Sequence, residues 1–228
     1  MIYRIKSVIF ISLFVTLNYL TLPSTATNSA SEYRRLGLLY RQQGRYQEAI
    51  NAMSKSVELE PSNTMGKVNL GWTLHLAGKG KEATNYLWQA IYQAPLQHSA
   101  YNALGIVYLV NDNLINAVLI HSLAVMLKPD NEIAYYNLSL ALHQLKMYQM
   151  AIAAAQYAVK LEPNNPHPLV SMAMNYWDSG SQDLARNIYQ QAITLDARYR
   201  NSIFLNHLQQ AAFTQKQINT TKQILSSL

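Results

Sequence analysis

From residue 30 to about residue 195, apolar residues recur three, four and seven positions apart in stretches of about 14 residues. Tyr33, Leu36 and Tyr40 fall at i, i+3 and i+7 of one stretch, and Ala49, Met53 and Ser56 at i, i+4 and i+7 of the next. That spacing lines one face of a helix, and the stretches are too long for strands. Gly44, Gly78 and Gly180 lie between stretches, where the end of a helix often requires positive φ. Pro61, Pro95, Pro129 and Pro163 follow the second stretch of each pair and cannot continue a helix. Pro166 and Pro168 fall in a first turn, where a missing N–H has no intrahelical acceptor to lose. The pattern predicts helix pairs near 31–43 with 46–59, 64–77 with 80–93, 98–111 with 114–127, 132–145 with 148–161, and 166–179 with 182–195. Two further helices are predicted near 199–212 and 215–226.

The stretches repeat with a period of 34. Four of the seven prolines, 61, 95, 129 and 163, keep that interval. So do Ala49, Ala83, Ala117, Ala151 and Ala185, and Leu36, Leu70, Leu104, Leu138 and Met172. Small residues hold the next column, Gly37, Gly71, Gly105, Ser139 and Ala173, and another, Ser56, Ala90, Ala124, Ala158 and Ala192. Tyr40, Leu74, Tyr108, Leu142 and Tyr176 form a large apolar or aromatic column. Fixed periods of this length mark stacked repeats.

These columns resemble the tetratricopeptide repeat family, whose 34-residue unit carries an aromatic, Leu-Gly, Tyr, Ala, a large apolar residue, Ala and Pro. The resemblance covers residues 30–199 as five units, 30–63, 64–97, 98–131, 132–165 and 166–199. The fourth departs from the pattern at Ser139 and the fifth at Ala197, which replaces the proline. It implies an all-α, right-handed superhelical solenoid of antiparallel helix pairs that binds a protein or peptide and has no catalytic activity of its own. Residues 200–228 read as capping helices or a degenerate sixth unit, because Asn206 and His207 occupy the Leu-Gly slots. A solenoid needs a polar outer face at its end, and Gln209, Gln210, Gln215, Lys216, Gln217, Thr220, Thr221 and Lys222 offer one.

The apolar run at the start has a different character. Arg4 and Lys6 precede Val8 to Leu17, Asn18 interrupts the run, and Pro23 ends it before Ser24-Thr25-Ala26. A charged start, a short apolar core and a small-x-Ala site form an export signal, and about 20 apolar residues would be needed to span a bilayer. Residues 1–26 are therefore read as a signal peptide or, alternatively, an N-terminal membrane anchor through residues 1–22, with 27–29 as a linker. Both readings place the repeats outside the cytoplasm, in a periplasmic or equivalent lumenal or secreted space, since flanking cations stay inside.

Composition narrows the partner. Charged residues make up 13% of the chain, about half the usual 25%. The net charge of +6 becomes +4 once Arg4 and Lys6 are removed. Lysines in 64–165 are scattered, whereas nucleic-acid binding needs a sustained basic stripe. With no cysteine in the chain, disulfides, thiolate metal sites and a lipid-modified cysteine are excluded. His75, His98, His121, His143, His167 and His207 form no H-x-x-x-H pair, so no metal site or cofactor is expected. Gly78-Lys79-Gly80-Lys81 lacks phosphate-loop spacing and reads as a turn.

In a solenoid of this kind the first helix of each pair lines a concave groove. Its groove slots hold Arg34, Leu38 and Arg41, then Val68, Asn69 and Trp72, then Asn102, Ile106 and Leu109. Tyr136, Asn137, Leu140 and His143 follow, then Val170, Met174 and Trp177. The row begins basic and turns apolar and aromatic, the composition of a binding hot spot. The expected peptide-binding residues are Arg34, Arg41, Val68, Asn69, Trp72, Asn102, Ile106, Leu109, Tyr136, Asn137, Leu140 and Trp177, with the arginines meeting an acidic end. A carboxylate clamp known in the family is incomplete here, because Leu38 stands where the clamp has Asn. The alternatives are a membrane-tethered component that docks its convex face onto a larger complex, and an accessory subunit of a cell-envelope enzyme system.

Overall fold

A computed structural model describes residues 29–228; the expected export segment and most of the linker lie outside them. Five antiparallel helix pairs follow one another: α1 (Ala30–Gln42) with α2 (Tyr46–Leu59), α3 (Thr64–Leu76) with α4 (Gly80–Gln93), α5 (His98–Val110) with α6 (Leu114–Leu127), α7 (Glu132–Gln144) with α8 (Tyr148–Leu161), and α9 (Pro166–Asp178) with α10 (Gln182–Leu195). Each helix packs on the next, and the first helices of adjacent pairs also touch from α3 to α9. Ser29 opens α1 with a capping box to Glu32. Asn63, Asn131 and Asn165 cap α3, α7 and α9 by accepting from backbone N–H groups, which satisfies donors that have no intrahelical partner.

The turn inside every pair is the same. Gly44, Gly78, Asp112, Lys146 and Gly180 are left-handed, with φ of 72°, 76°, 59°, 61° and 93°. The next N–H, of residues 45, 79, 113, 147 and 181, donates back to the carbonyl of 40, 74, 108, 142 and 176 at 2.8–2.9 Å. This six-to-one bond is the Schellman closure, and its acceptors are the large column seen in the sequence. Asp112 and Lys146 hold a conformation that L residues resist, Lys more than Asp. Lys146→Gly is expected to raise stability by about 0.5–1 kcal/mol and Asp112→Gly by less. Urea midpoints of the two variants check this, and equal or reversed effects would refute it.

Close approach explains the small column. A Cβ on Gly37 would lie 2.5 Å from Met53 Cγ, on Gly71 2.7 Å from Leu87 Cγ, and on Gly105 2.5 Å from His121 Cε1. In the fourth and fifth pairs the sizes redistribute: Ser139 stands in the row of Ala155, and Ala173 in that of Tyr189, all buried. The buried residues form an apolar seam along the array, with Tyr108 packed against both of its larger halves.

Of the two helices expected near 199–212 and 215–226, only the second is α-helical. Residues 199–212 do not form an α-helix. A 3-10 turn at Ala197–Arg200 is followed by a 3-10 helix at Phe204–Ala211. Asn201 Oδ1 accepts from the N–H groups of Ile203 and Phe204, a local bond that competes with helix continuation. After left-handed Ala212 (φ 65°), α11 (Gln215–Ser226) starts on a Thr214–Gln217 capping box. It packs on α9 and α10 and reaches α7 through the Gln217 amide. Of the polar face expected to meet water, Gln217, Thr220 and Thr221 are buried. Helix α11 is thus no second helix of a regular sixth unit, since it lies against the inner row.

Candidate concave groove

The basic start of the groove resolves into paired and unpaired arginines. Arg34 Nη1 donates to Glu60 Oε2 at 3.1 Å, and Arg45 Nη2 sits 2.9 Å from Glu48 Oε1. The Arg45 guanidinium also lies 4.4 Å from the Tyr40 ring centroid. Arg41 is half-buried, and its buried Nη1 has no hydrogen-bond partner among the described residues. Burial lowers its pKa from the ordinary arginine value, the sign of a cation that lacks compensation.

Next along the row, Trp72 is partly exposed, with its ring 5.0 Å from His75 and tilted 40°. Burial lowers the pKa of His75 as well. Asn69 and Ile106 keep part of their surface. Asn102 is tied to Asn131 by two amide hydrogen bonds, at 3.1 and 2.8 Å. Val68 and Leu109 are buried in the seam and present no groove surface, because their slots turn toward the neighbouring helix.

The second half of the row is covered. Tyr136, Asn137 and Leu140 are buried, as are His143, Val170 and Met174. Asn137 Nδ2 donates to the Ile133 carbonyl of its own helix at 2.9 Å. Tyr136 Oη donates to the Ala211 carbonyl at 2.6 Å, and its ring centroid stands 6.2 Å from that of Phe213. Gln217 Nε2 lies 3.2 Å from both the Leu140 carbonyl and His143 Nδ1. His143 Nε2 in turn lies 2.9 Å from Asp178 Oδ2. Trp177 is partly buried against the seam. The expected groove therefore divides: Arg41, Asn69, Trp72 and Ile106 offer surface, while the chain's own C-terminal segment occupies the α7–α9 end. The Thr214-x-x-Gln217 capping box was the one sequence signal near this contact, and it marks a helix start without saying where the helix docks.

A second surface lies outside the groove. On α6, Ile115, Leu119 and Met126 are 69%, 54% and 76% exposed and fall within one narrow face. No charged residue occurs in that helix. Met150 and Tyr157 of α8 are also exposed. Among the described residues no cluster of His, Asp or Glu is arranged to hold a metal, and no helix is long and apolar enough to cross a membrane.

Stacked antiparallel helix pairs define the chain as an α-solenoid, a fold that suggests a scaffold for protein–protein interaction. The tetratricopeptide repeat pattern matches residues 30–63 and 133–165, and a second form of it matches 167–199. The chain belongs to the tetratricopeptide repeat family. It is 25% identical over 164 residues to human protein O-mannosyl-transferase TMTC1, covering 70% of this chain and 19% of that protein. It is 24% identical over 174 residues to the Drosophila melanogaster BBSome complex member BBS4 homolog, covering 71% of this chain and 36% of that protein. It thus spans only about a fifth to a third of these relatives. Its fold is similar to MamA from Desulfovibrio magneticus RS-1, with TM-score 0.67, 20% identity, and 75% of this chain and 97% of that chain covered. The thermophilic tetratricopeptide repeat protein TTC0263 from Thermus thermophilus gives TM-score 0.64 at 19% identity, with 80% and 98% covered.

Proposed function

We propose that this protein is an exported, non-enzymatic assembly factor that holds a protein segment in the open part of its groove, over α1, α3 and α5. The observation that carries this reading is Arg41, a half-buried cation whose Nη1 has no partner among the described residues. A carboxylate on the bound segment supplies the missing partner, and such charge-assisted bonds are strong. Trp72 and Ile106 give the apolar surface beside it. The membership of the BBS4 homolog in a complex supports an assembly role.

The outer face of α6 favours a second reading, in which the convex side docks onto a larger membrane complex. Site-specific photo-crosslinking in the native host separates the two. A crosslinker at position 69, beside Trp72 on α3, is expected to capture the partner, and one at position 119 is not. Arg41→Ala and Trp72→Ala are each expected to lower capture about tenfold or more, as hot-spot truncations do. Capture through 119 alone favours the convex reading. Sequencing of the mature N-terminus tests export, with a start near Thr27 expected.

A further inference from the structure

We propose that residues 201–228 are an exchangeable latch, an intramolecular ligand that fills the α7–α9 half of the groove. This half then takes a protein segment of the same chemistry: an aromatic ring followed four residues later, on a starting helix, by a side-chain amide. The contacts define that chemistry. Tyr136 binds the Ala211 carbonyl and packs near Phe213. Gln217 uses its two ends differently. Its Oε1 accepts from the Thr214 N–H at 2.9 Å and starts α11, while its Nε2 meets the Leu140 carbonyl and the His143–Asp178 pair. Leu205, Leu208, Phe213, Ile218 and Ile224 are buried, so the segment is a fitted occupant.

Three features make it releasable. It approaches the groove through 3-10 geometry, which has poorer hydrogen bonds than an α-helix. It turns on Ala212, a left-handed residue with a Cβ, a conformation held only by its surroundings. Open clefts also flank its contact with the inner row. A cleft of about 260 Å³ lies between Leu114, His143 and Tyr148 on one side and Thr214, Lys216 and Gln217 on the other. A second cleft of about 280 Å³ separates Leu109 and Gln144 from Gln209, Phe213 and Gln215.

The proposal concerns the opposite end of the groove from Arg41 and Trp72, so its failure leaves the proposed function standing. The test uses the full chain and a fluorescent synthetic peptide of residues 201–228. Phe213→Ala and Gln217→Ala loosen the resident segment without altering α7 or α9. Each variant is expected to bind the peptide at least about tenfold more tightly than the unsubstituted chain, because that chain's own segment competes in place. Hydrogen exchange in both variants is expected to quicken in 204–226 and to stay slow in α9. Equal peptide binding by all three chains would overturn the proposal. So would exchange that quickens in α7–α10 together with the segment in both variants, since the segment would then be an integral part of the fold.

Discussion

Lowering the pH below about 6.5 is expected to destabilise the array through His121, by about 1.4 kcal/mol per pH unit toward pH 3. His121 is fully buried, and neither ring nitrogen has a hydrogen-bond partner among the described residues. Burial pushes its pKa down to about 3, against a small opposing pull from the Gly105 backbone. The sign follows from the protons. Above about 6.5 neither the folded nor the unfolded chain protonates this ring. Below it the unfolded chain takes a proton that the folded chain refuses, so stability falls with pH until the folded ring titrates. Burial lowers the pKa of His75 and His167 too, and His207 adds to the effect on His167, so both act in the same direction. His121→Leu is expected to remove most of the dependence. Leu87 already fills the equivalent place against Gly71, one unit earlier. It also removes two unsatisfied polar atoms, for a gain of about 1 kcal/mol at pH 7. Urea unfolding of both proteins at pH 7 and 4.5 provides the measurement. A variant that loses as much stability as the parent would refute the assignment.

Gly105→Ala is expected to cost about 2 kcal/mol net, the largest effect of adding a single methyl to the small column. The new Cβ would stand 2.5–2.7 Å from three atoms of the His121 ring. A planar ring with no exposed surface has nowhere to retreat, and overpacking of this kind costs about 1–3 kcal/mol. The helix propensity of Ala returns up to about 1 kcal/mol of that. At Gly37 the opposing atoms belong to Met53, which is flexible and adapts, so Gly37→Ala is expected to be milder. The decisive variant is Gly105→Ala in a His121→Ala background. There the clash is gone, and the substitution is expected to be neutral or stabilising, much as Ser139 and Ala155 coexist in the next unit. The coupling is read from a double-mutant cycle in urea. Strict additivity would mean that the ring is not what Gly105 accommodates.

Much of the fold was legible residue by residue. The ten helices of the five repeats begin where the 34-residue pattern placed them or one residue away. Apolar spacing and the turn positions act locally, and five copies of the same unit reinforce one another. Asp112 and Lys146 were hidden in the turn column, because only φ reveals that they do the work of Gly44. The groove was half legible. Its slots followed from the frame, but exposure did not: Leu140 and Trp72 occupy comparable places, and only Leu140 is covered.

An all-α array of five helix pairs, the starts of those helices, and the apolar and small columns that hold them together could be read from the sequence. Short-range backbone preferences and repeated nearest-neighbour packing are written into consecutive residues, so one chain suffices to read them. Tertiary structure alone decided which arginine lacks a partner, where His121 is trapped without a hydrogen bond, and that Gln217 turns inward to meet His143 across 74 residues of sequence. Those outcomes depend on contacts between distant segments. A polar helix such as α11 carries no local signal for the surface it will cover.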